Sequence, residues 1–199
     1  TFECSIDGGA FAACASPKTY TGLADGSHTF RIHGVNDNGP GPNQASSWTS
    51  DTTAPTVSLT TAPAAFTNAT SASLAASASD ATTSIASVEF RYAPNAASCA
   101  TSVSTIFIDT TAPYGATWTI PADGSYAVCA IATDAVGNQS APVSTNVVVD
   151  QTKPTVGLNA FGSTVGSNTY VHGTPTLHAT ASDATAGIGS VDLTVAPGG

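Results

Sequence analysis

Apolar and polar side chains alternate along several short segments of the chain. In the clearest segment, Val88, Phe90 and Tyr92 share one face. Glu89 and Arg91 then face the other way, because successive side chains of a strand point to opposite sides. No segment has the 3.6-residue period of an amphipathic helix. The pattern predicts a chain of short β-strands that are buried on one face.

Seven strands are expected in the middle of the chain, at residues 56–60, 70–79, 86–93, 104–108, 115–120, 125–133 and 143–149. Along the sixth strand, Tyr126, Val128, Ala130 and Ala132 are expected to face inward. Turn residues separate the strands, and the chain contains 18 glycines and 12 prolines. Short strands at this spacing are typical of a β-sandwich.

The chain repeats itself at an interval of about 100 residues. Three pairs of segments match, at offsets of 99, 98 and 103 residues: Asp51–Leu59 with Asp150–Leu158, Ala24–Ser27 with Ala122–Ser125, and Ala78–Thr82 with Ala181–Thr185. A tandem array of modules is therefore predicted. The interval is the size of one immunoglobulin-type sandwich.

The repeat predicts where the modules begin and end. Residues 1–50 carry the late landmarks of a module, 51–149 carry the full set, and 150–199 carry the early ones. A further strand is expected at Ile188–Val195, since this segment is similar to Ile85–Tyr92. The chain is interpreted as a window on a longer array, with one complete module between two partial ones.

The composition narrows the list of partners. Four Lys and Arg residues stand against thirteen Asp and Glu residues, which gives a formal net charge of −9. A chain this acidic repels nucleic acid phosphates and anionic membrane surfaces, so no nucleic acid partner is expected. No run of 18 apolar residues is present, so no membrane insertion is expected either.

The four cysteines, Cys4, Cys14, Cys99 and Cys129, form no CxxC pair. Two disulfides in a protein outside the cytosol are expected, and four buried free thiols are the alternative. Cys129 is expected on the outer, exposed face of its strand, because Arg31 is its repeat counterpart. A Cys99–Cys129 bridge then ties the loop after the third strand to that face. Cys4 and Cys14 flank a predicted hairpin turn at 7–9.

The residues also carry a resemblance to a known class of modules. The segments that carry it are Phe2–Phe11 with Cys14, Tyr20–Phe30, Ser87–Pro94, Ala122–Tyr126 and Ala132–Asn138. They resemble the Ig-like or fibronectin-III-like repeats of very large bacterial surface proteins. The resemblance implies an all-β fold of tandem immunoglobulin-like β-sandwich modules of about 100 residues. It implies function only at the level of adhesins, cell-wall stalks and spacers of secreted enzymes.

Aspartates recur at the predicted module junctions. In an Ig-like sandwich, Asp51, Asp80 and Asp134 are expected to meet at the end where the chain enters. Carboxylates grouped in this way are ligands that Ca²⁺ prefers. Asp150 and Asp183 repeat the pattern at the next junction. The alternative is that each aspartate caps a turn.

The remaining candidates favour structural roles. The four histidines, His28, His33, His172 and His178, are interpreted as ordinary strand residues rather than metal ligands. Trp48 and Trp118 have the chemistry of sugar-stacking platforms, but both are expected to be packed. No GxSxG elbow accompanies the many serines and histidines. The chain is therefore not expected to be an enzyme.

The favoured function is structural and adhesive. The modules are expected to form a stalk or adhesin region of a large extracellular bacterial protein at the cell surface. Its expected partners are neighbouring repeats of the same chain, a cell-surface glycan or protein, and further copies of the same protein. The alternatives are carbohydrate-binding or spacer modules of a secreted enzyme, or a structural subunit of an extracellular filament or virion appendage.

Overall fold

A computed structural model describes residues 1–95, 99, 103–159, 163–165, 168–170, 173 and 176–194. All regular secondary structure in these residues is β-strand, arranged in five sheets. Within the same residues, no helix is long and apolar enough to span a membrane. The prediction of an all-β fold is confirmed.

The first fifty residues form one antiparallel sheet. Its strands are β1 (Phe2–Ile6), β2 (Ala12–Cys14), β3 (Gly26–Asn36), β4 (Gly39–Pro40) and β5 (Gln44–Ser50). Strand β3 pairs with β1 on one side and with β5 on the other, while β2 extends the sheet beyond β1 and β4 pairs with the end of β3. The expected hairpin turn is present, and Asp7 and Gly8 adopt the positive φ angles that a tight turn of this kind requires.

The middle of the chain forms two sheets. The first consists of β10 (Ser104–Asp109), β9 (Ile85–Pro94), β12 (Gly124–Asp134), β13 (Val143–Val149) and β7 (Phe66–Thr67), in that spatial order. The second consists of β11 (Tyr114–Thr119), β8 (Ser71–Ser79) and β6 (Thr56–Thr61). The seven predicted strands are present within one or two residues of their expected ends. The short strand β7, which pairs in parallel with β13, was not predicted.

The core lies between these two sheets. Alternation buries Val88, Phe90 and Val128 completely on the inner face of one sheet, while Trp118, at 1% exposure, fills the space from the other. Tyr92 and Tyr126 pack against the Trp118 ring at centroid distances of 5.5 and 5.4 Å. Burial of such large aromatic side chains supplies much of the apolar area of a thin sandwich.

Cys129 corrects one expectation from the sequence. It lies on the outer face of β12 as predicted, but it is fully buried rather than exposed. Cys99 and the partly buried Val103 cover it, together with Ala93 and Ala127 of the strands. These residues form a second, small apolar cluster on the outside of the sheet.

Strands β14 (Thr155–Leu158) and β17 (Ala179–Ser182) form a two-stranded antiparallel sheet after the middle region. A further two-stranded sheet contains β15 (Ser163–Val165) and β16 (Asn168–Tyr170). The strand expected at Ile188–Val195 is wrong for its described part, since residues 188–194 are in no strand. Val195 itself lies outside the described residues.

Candidate functional site at the module junction

The first junction is short and begins where β5 ends. Five residues, 51–55, separate Ser50 of β5 from Thr56 of β6. Pro55 is buried, lacks a backbone donor and holds the residue before it in an extended conformation. The chain therefore passes from one sheet system to the next without a long flexible linker.

Asp25 holds this junction from the side of the first sheet. One carboxylate oxygen accepts hydrogen bonds from the Thr52 backbone N–H at 2.8 Å and from the Thr52 hydroxyl at 2.9 Å. The other oxygen accepts a hydrogen bond from the Thr53 hydroxyl. These bonds, the one from Thr53 above all, hold the pKa of Asp25 below its ordinary value. A single carboxylate thus fixes two successive junction residues.

The same arrangement recurs at the second junction. Asp123 lies 98 residues after Asp25 and accepts hydrogen bonds from the Gln151 backbone N–H at 2.6 Å and from the Thr152 hydroxyl. The Thr152 bond is the main cause that lowers the pKa of Asp123. We refer to Asp25 and Asp123, with the junction residues they bind, as the junction clamps. Both clamps come from the repeated Ala-Asp-Gly-Ser turn.

On the other side of the first junction, the structure brings together the three predicted aspartates. One carboxylate oxygen from each of Asp51, Asp80 and Asp134 lies within 4.8 Å of the others. Asp134 is buried, and the other two are half-buried. Asp51 also accepts a hydrogen bond from the Thr83 hydroxyl at 2.7 Å, and its backbone carbonyl accepts one from Asn138 at 3.1 Å. The carboxylates therefore link the junction to two loops of the middle region.

Asp134 organises the turn between β12 and β13. One of its oxygens accepts hydrogen bonds from the backbone N–H groups of Val136, Gly137 and Asn138 at 2.7–2.9 Å. The other accepts one from the Asn138 side chain at 2.8 Å. Burial opposes ionisation of Asp134, but the hydrogen bonds, with Asn138 first, outweigh it and lower its pKa. Asp134 is therefore a buried carboxylate that also caps a turn.

Asp80 provides the strongest indication of a ligand. One oxygen accepts hydrogen bonds from the Thr82 and Thr83 N–H groups, both at 2.8 Å, and the Thr83 bond is the main cause of its lowered pKa. The negative charge of Asp134 opposes that shift. The second oxygen of Asp80 is buried and has no hydrogen-bond partner among the described residues. A buried carboxylate oxygen beside two further carboxylates has the donor chemistry and charge that fit a calcium ion.

The aspartates of the second junction also bind loop residues. Asp150 accepts a hydrogen bond from the Ala186 N–H at 3.1 Å. Asp183 accepts one from the Thr185 N–H at 3.0 Å, which is the main cause that lowers its pKa. Each junction is therefore connected to the loop that follows it by a corresponding pair of aspartates, Asp51 and Asp80 at the first and Asp150 and Asp183 at the second.

The cysteines are paired as proposed from the sequence. Cys4 is bonded to Cys14, and Cys99 is bonded to Cys129. The sequence separations are 10 and 30 residues. Loop-closure entropy gives about 3 kcal/mol for the shorter loop and about 4 kcal/mol for the longer one. Each bridge therefore stabilises a different sheet.

The histidines of the first sheet are more than ordinary strand residues. His28 is buried between the Asp7 carboxylate at 2.7 Å and the Ala24 carbonyl at 2.8 Å. His33, on the opposite face, is buried between Glu3 at 3.0 Å and Asn43 at 2.8 Å. His178 is exposed, and His172 lies outside the described residues.

The two tryptophans differ. Trp118 is packed in the core as predicted, whereas the prediction that Trp48 is packed is wrong, because 39% of it is exposed. Trp48 lies on β5 and contacts the His28 ring at a centroid distance of 5.9 Å. Its repeat counterpart, Val147, is buried because a second sheet covers it.

The sequence did not identify the junction clamps. The sequence marks Asp25 and Asp123 only as parts of a repeated turn, because their bonds to the junction depend on the distance between that turn and the end of the next strand. The available signal was that Asp is the one ionisable residue in a four-residue match repeated at an offset of 98.

Comparisons with known proteins give two family matches and a match to a solved structure. The bacterial Ig domain family matches residues 55–130, and the bacterial Ig-like domain family of group 3 matches residues 112–199. Among solved structures, the fibronectin(III)-like modules of CbhA from Clostridium thermocellum match with 27% identity over 49% of this chain and 100% of theirs, with a TM-score of 0.40. No curated protein matches. Residues 55–130 and residues 112–199 thus each match a family of bacterial Ig-like domains.

Proposed function

We propose that this chain is a structural, non-catalytic stalk region of an extracellular bacterial protein, in which consecutive Ig-like modules are held at fixed angles. The two disulfides and the bacterial Ig-like families are consistent with an extracellular protein. The observation that carries the stalk function is the junction clamp, which occurs at both junctions with the same chemistry. A flexible tether, which only has to span a distance, would not require a clamp at each junction.

Each clamp acts together with the aspartates that follow it. Asp25 binds Thr52 and Thr53, and Asp51 between β5 and Thr52 binds Thr83 of the next module. The junction is therefore bonded to structure on both sides within three residues. Few torsions are left free to bend, so one module transmits its orientation to the next.

Calcium is the second part of the proposal. Three carboxylates within 4.8 Å repel one another, and a bound cation would offset that repulsion. The buried, unpartnered oxygen of Asp80 would be one ligand atom, and Asp51 and Asp134 would supply others. Because Asp51 belongs to the junction itself, binding would stiffen the connection rather than only one loop.

The experiment that tests the stalk function measures the rigidity of the first junction. Residual dipolar couplings are recorded for the amides of β3 and of β12 in the complete chain. A rigid junction gives one alignment tensor for both strands. In Asp25→Ala, Thr52 and Thr53 lose their partner, and we expect two tensors of different magnitude. The matched control is Asp37→Ala, which removes an exposed aspartate from a turn of the same sheet.

Two results would count against the proposal. If β3 and β12 already align independently in the unaltered chain, the modules are a flexible tether. If Asp25→Ala and Asp37→Ala behave alike, the clamp does not determine the junction geometry. Calcium is absent from this comparison, so failure of the calcium site leaves the test of the stalk intact.

A further inference from the structure

Two segments of the chain have the Asn-x-Ser/Thr pattern that N-glycosylating enzymes recognise. They are Asn68–Thr70 and Asn138–Ser140. A transferred sugar is bulky and hydrophilic, so a usable asparagine must lie at the surface with its side-chain amide free. The pattern is the same in both segments, but their surroundings in the fold differ.

Asn138 is already engaged at the first junction. Its side-chain amide donates hydrogen bonds to the Asp51 carbonyl at 3.1 Å and to the Asp134 carboxylate at 2.8 Å. Ser140, the hydroxyl residue of this pattern, is buried, and its oxygen accepts a hydrogen bond from the Ala132 N–H at 3.0 Å. A sugar on Asn138 would replace an amide hydrogen and disrupt these contacts. Asn138 is therefore a structural residue of the junction.

Asn68 lies on the surface instead. Residues 68–70 are all exposed and directly follow strand β7. The Thr67 hydroxyl accepts a hydrogen bond from the Ala69 N–H at 3.1 Å, which closes a small turn around Asn68. The Thr67 carbonyl accepts one from the Asp150 N–H at 2.9 Å, which ties the turn to the end of β13. The fold therefore presents the Asn68 side chain on an anchored surface turn.

An exposed aromatic side chain precedes this turn. Phe66 is 69% exposed, more than any other large apolar side chain among the described residues of the middle region. It lies on β7, the edge strand of the five-stranded sheet, and pairs with Val148 of β13. Phe66 and Asn68 have the i, i+2 spacing that places two side chains on the same side of an extended segment. A group attached to Asn68 would therefore lie beside the Phe66 ring.

We propose that Asn68 is a site of N-linked glycosylation and that the first sugar stacks on the Phe66 ring. The C–H groups on one face of a sugar ring form an apolar surface that matches an aromatic face, while its hydroxyl groups stay in water. The sugar would also cover the outer edge of β7, where an uncovered strand can pair with another molecule. This modification goes beyond the stalk function and does not depend on it.

The transfer needs an activated sugar as co-reactant. Its chemical class is a sugar linked through a diphosphate to a nucleoside or to a polyprenyl lipid. The side-chain nitrogen of Asn68 bonds to the anomeric carbon, and the bond from that carbon to the diphosphate oxygen breaks. The diphosphate leaves with the electron pair, and the amide nitrogen loses one proton to a base of the transferase. Nothing is oxidised or reduced.

Peptide mapping of the protein from the cells that naturally produce it tests the site. Trypsin cuts after Arg31 and Arg91, so it releases Asn68 and Asn138 in different peptides. We expect one or more hexose or N-acetylhexosamine units on the first of these peptides, assigned to Asn68 by electron-transfer fragmentation. Asn138 should carry no sugar, because its amide is bonded within the fold.

Two variants of Thr70 show whether the pattern itself directs the transfer. Thr70→Val removes the hydroxyl and should abolish the modification, whereas Thr70→Ser retains a hydroxyl and should remain modified. The place of transfer identifies the donor. Sugar on chains that are still in the cytosol indicates a nucleotide-linked donor, and an oligosaccharide found only on exported chains indicates a polyprenyl-linked donor. Either result supports the site.

Stacking on Phe66 is tested through the hydrogen-exchange protection of β13, which pairs with β7. Protection in the glycosylated chain should exceed that in Asn68→Gln by about fivefold, the factor for an aromatic contact of ordinary strength. Phe66→Ala should remove this gain and leave the sugar attached. Phe107→Ala is the matched control and should preserve the gain, because Phe107 is 52% exposed on β10, at the opposite edge of the same sheet.

Three outcomes would overturn the proposal. The first is an unmodified Asn68 in the protein from its native cells. The second is a sugar on Asn138 in place of Asn68, or on serine and threonine hydroxyls alone. The third is β13 protection that does not depend on the sugar, or a gain that survives Phe66→Ala, since either result would contradict stacking on the ring.

Discussion

The first sheet and the larger sheet of the middle region contain the same central strands but differ in what lies over them. Strand β3 corresponds to β12, and β5 corresponds to β13, at offsets of 98 and 99 residues. In the middle region, the inner faces of these strands are buried under a second sheet, whereas Phe30 and Trp48 of the first sheet remain partly exposed. Strand pairing alone therefore orders a sheet in this chain, but burial depends on the opposite layer.

The two sheets are consequently stabilised by different interactions. The middle region has a core of large side chains around Trp118, and its disulfide joins Cys99 to the outer face of β12, away from that core. The first sheet instead relies on Cys4–Cys14 and on two buried histidines bonded to Asp7 and Glu3. A sheet without a thick core depends on such local crosslinks for its stability.

The largest expected difference between the two regions lies in their aromatic anchors. Trp118→Ala should destabilise the middle region by about 3–5 kcal/mol, because it leaves a large cavity among fully buried neighbours. Tyr20→Ala, at the corresponding position of the first sheet, should cost about 1 kcal/mol or less, since Tyr20 covers a surface that is already open. Denaturant unfolding with hydrogen exchange read separately on β12 and β3 measures both.

The contrast between the two regions would be contradicted if Trp118→Ala and Tyr20→Ala reduced the free energy of unfolding by the same amount. Equal losses would mean that Tyr20 is as well packed in solution as Trp118.

The strands were predictable because alternation is a local property. Val88, Phe90 and Tyr92 define a strand without any knowledge of its neighbours. Strand β7 was missed because two residues are too short to show alternation, and its parallel pairing with β13 depends on distant sequence. The sequence predicts the wrong exposure for Trp48 and for Cys129 for the same physical reason: exposure depends on what another part of the chain places over a residue.

The junction site was partly predictable. Topology alone places the start of the first strand beside two loops of an Ig-like sandwich, so the meeting of Asp51, Asp80 and Asp134 followed from the fold. The clamp of Asp25 on Thr52 and Thr53 did not follow, because side-chain hydrogen bonds depend on distances of a few tenths of an ångström. The sequence repeat identifies Asp25 but not the two threonines that it binds.

Calcium should produce the next largest difference, because the corresponding turns differ at the position of the buried carboxylate. The middle region has Asp134 where the first sheet has Asn36, a neutral side chain that accepts a local hydrogen bond from the Asn38 N–H. At a hundredfold excess over its dissociation constant, calcium should stabilise the middle region by about 2.7 kcal/mol. The exchange protection of β12 should rise with calcium while that of β3 changes little.

Asp80→Asn is the variant that tests the site, since it alters the oxygen without a partner and keeps the turn-capping oxygen. It should remove most of the calcium effect and leave the apo protein folded. Asp109→Asn is the matched control, because Asp109 caps a turn of the same region through Thr111 and Gly115. If chelation changes neither β12 protection nor melting temperature, the three aspartates act only as turn caps.

The smallest expected difference concerns a buried ring that hydrogen-bonds a carbonyl four residues earlier. This ring is a tyrosine in the middle region and a histidine in the first sheet. Tyr126 donates its hydroxyl hydrogen to the Ala122 carbonyl four residues earlier, at 3.0 Å. His28, its counterpart at an offset of 98, reaches the Ala24 carbonyl in the same way and also bonds Asp7. A carbonyl and a carboxylate both accept, so His28 satisfies both only when it is protonated on both nitrogens. The first sheet therefore has an ionisable histidine where the middle region has a neutral tyrosine.

This replacement should make the first sheet sensitive to pH. The Asp7 carboxylate raises the pKa of His28 above its ordinary value of 6.5, and the His28 bond lowers the pKa of Asp7 below 3.8. The stabilisation that comes from His28 is complete below pH 6.5 and is lost as the pH rises through the folded-state pKa of His28. The stabilisation that comes from Asp7 is lost only in acid. Exchange protection of β3, corrected for intrinsic rates, should fall as the pH rises above 6.5 while that of β12 holds. His28→Tyr should reduce this fall in protection. The part that remains should come from His33, whose pKa is raised by Asn43 and Glu3. An equal pH response in β3 and β12 would contradict the assignment to His28.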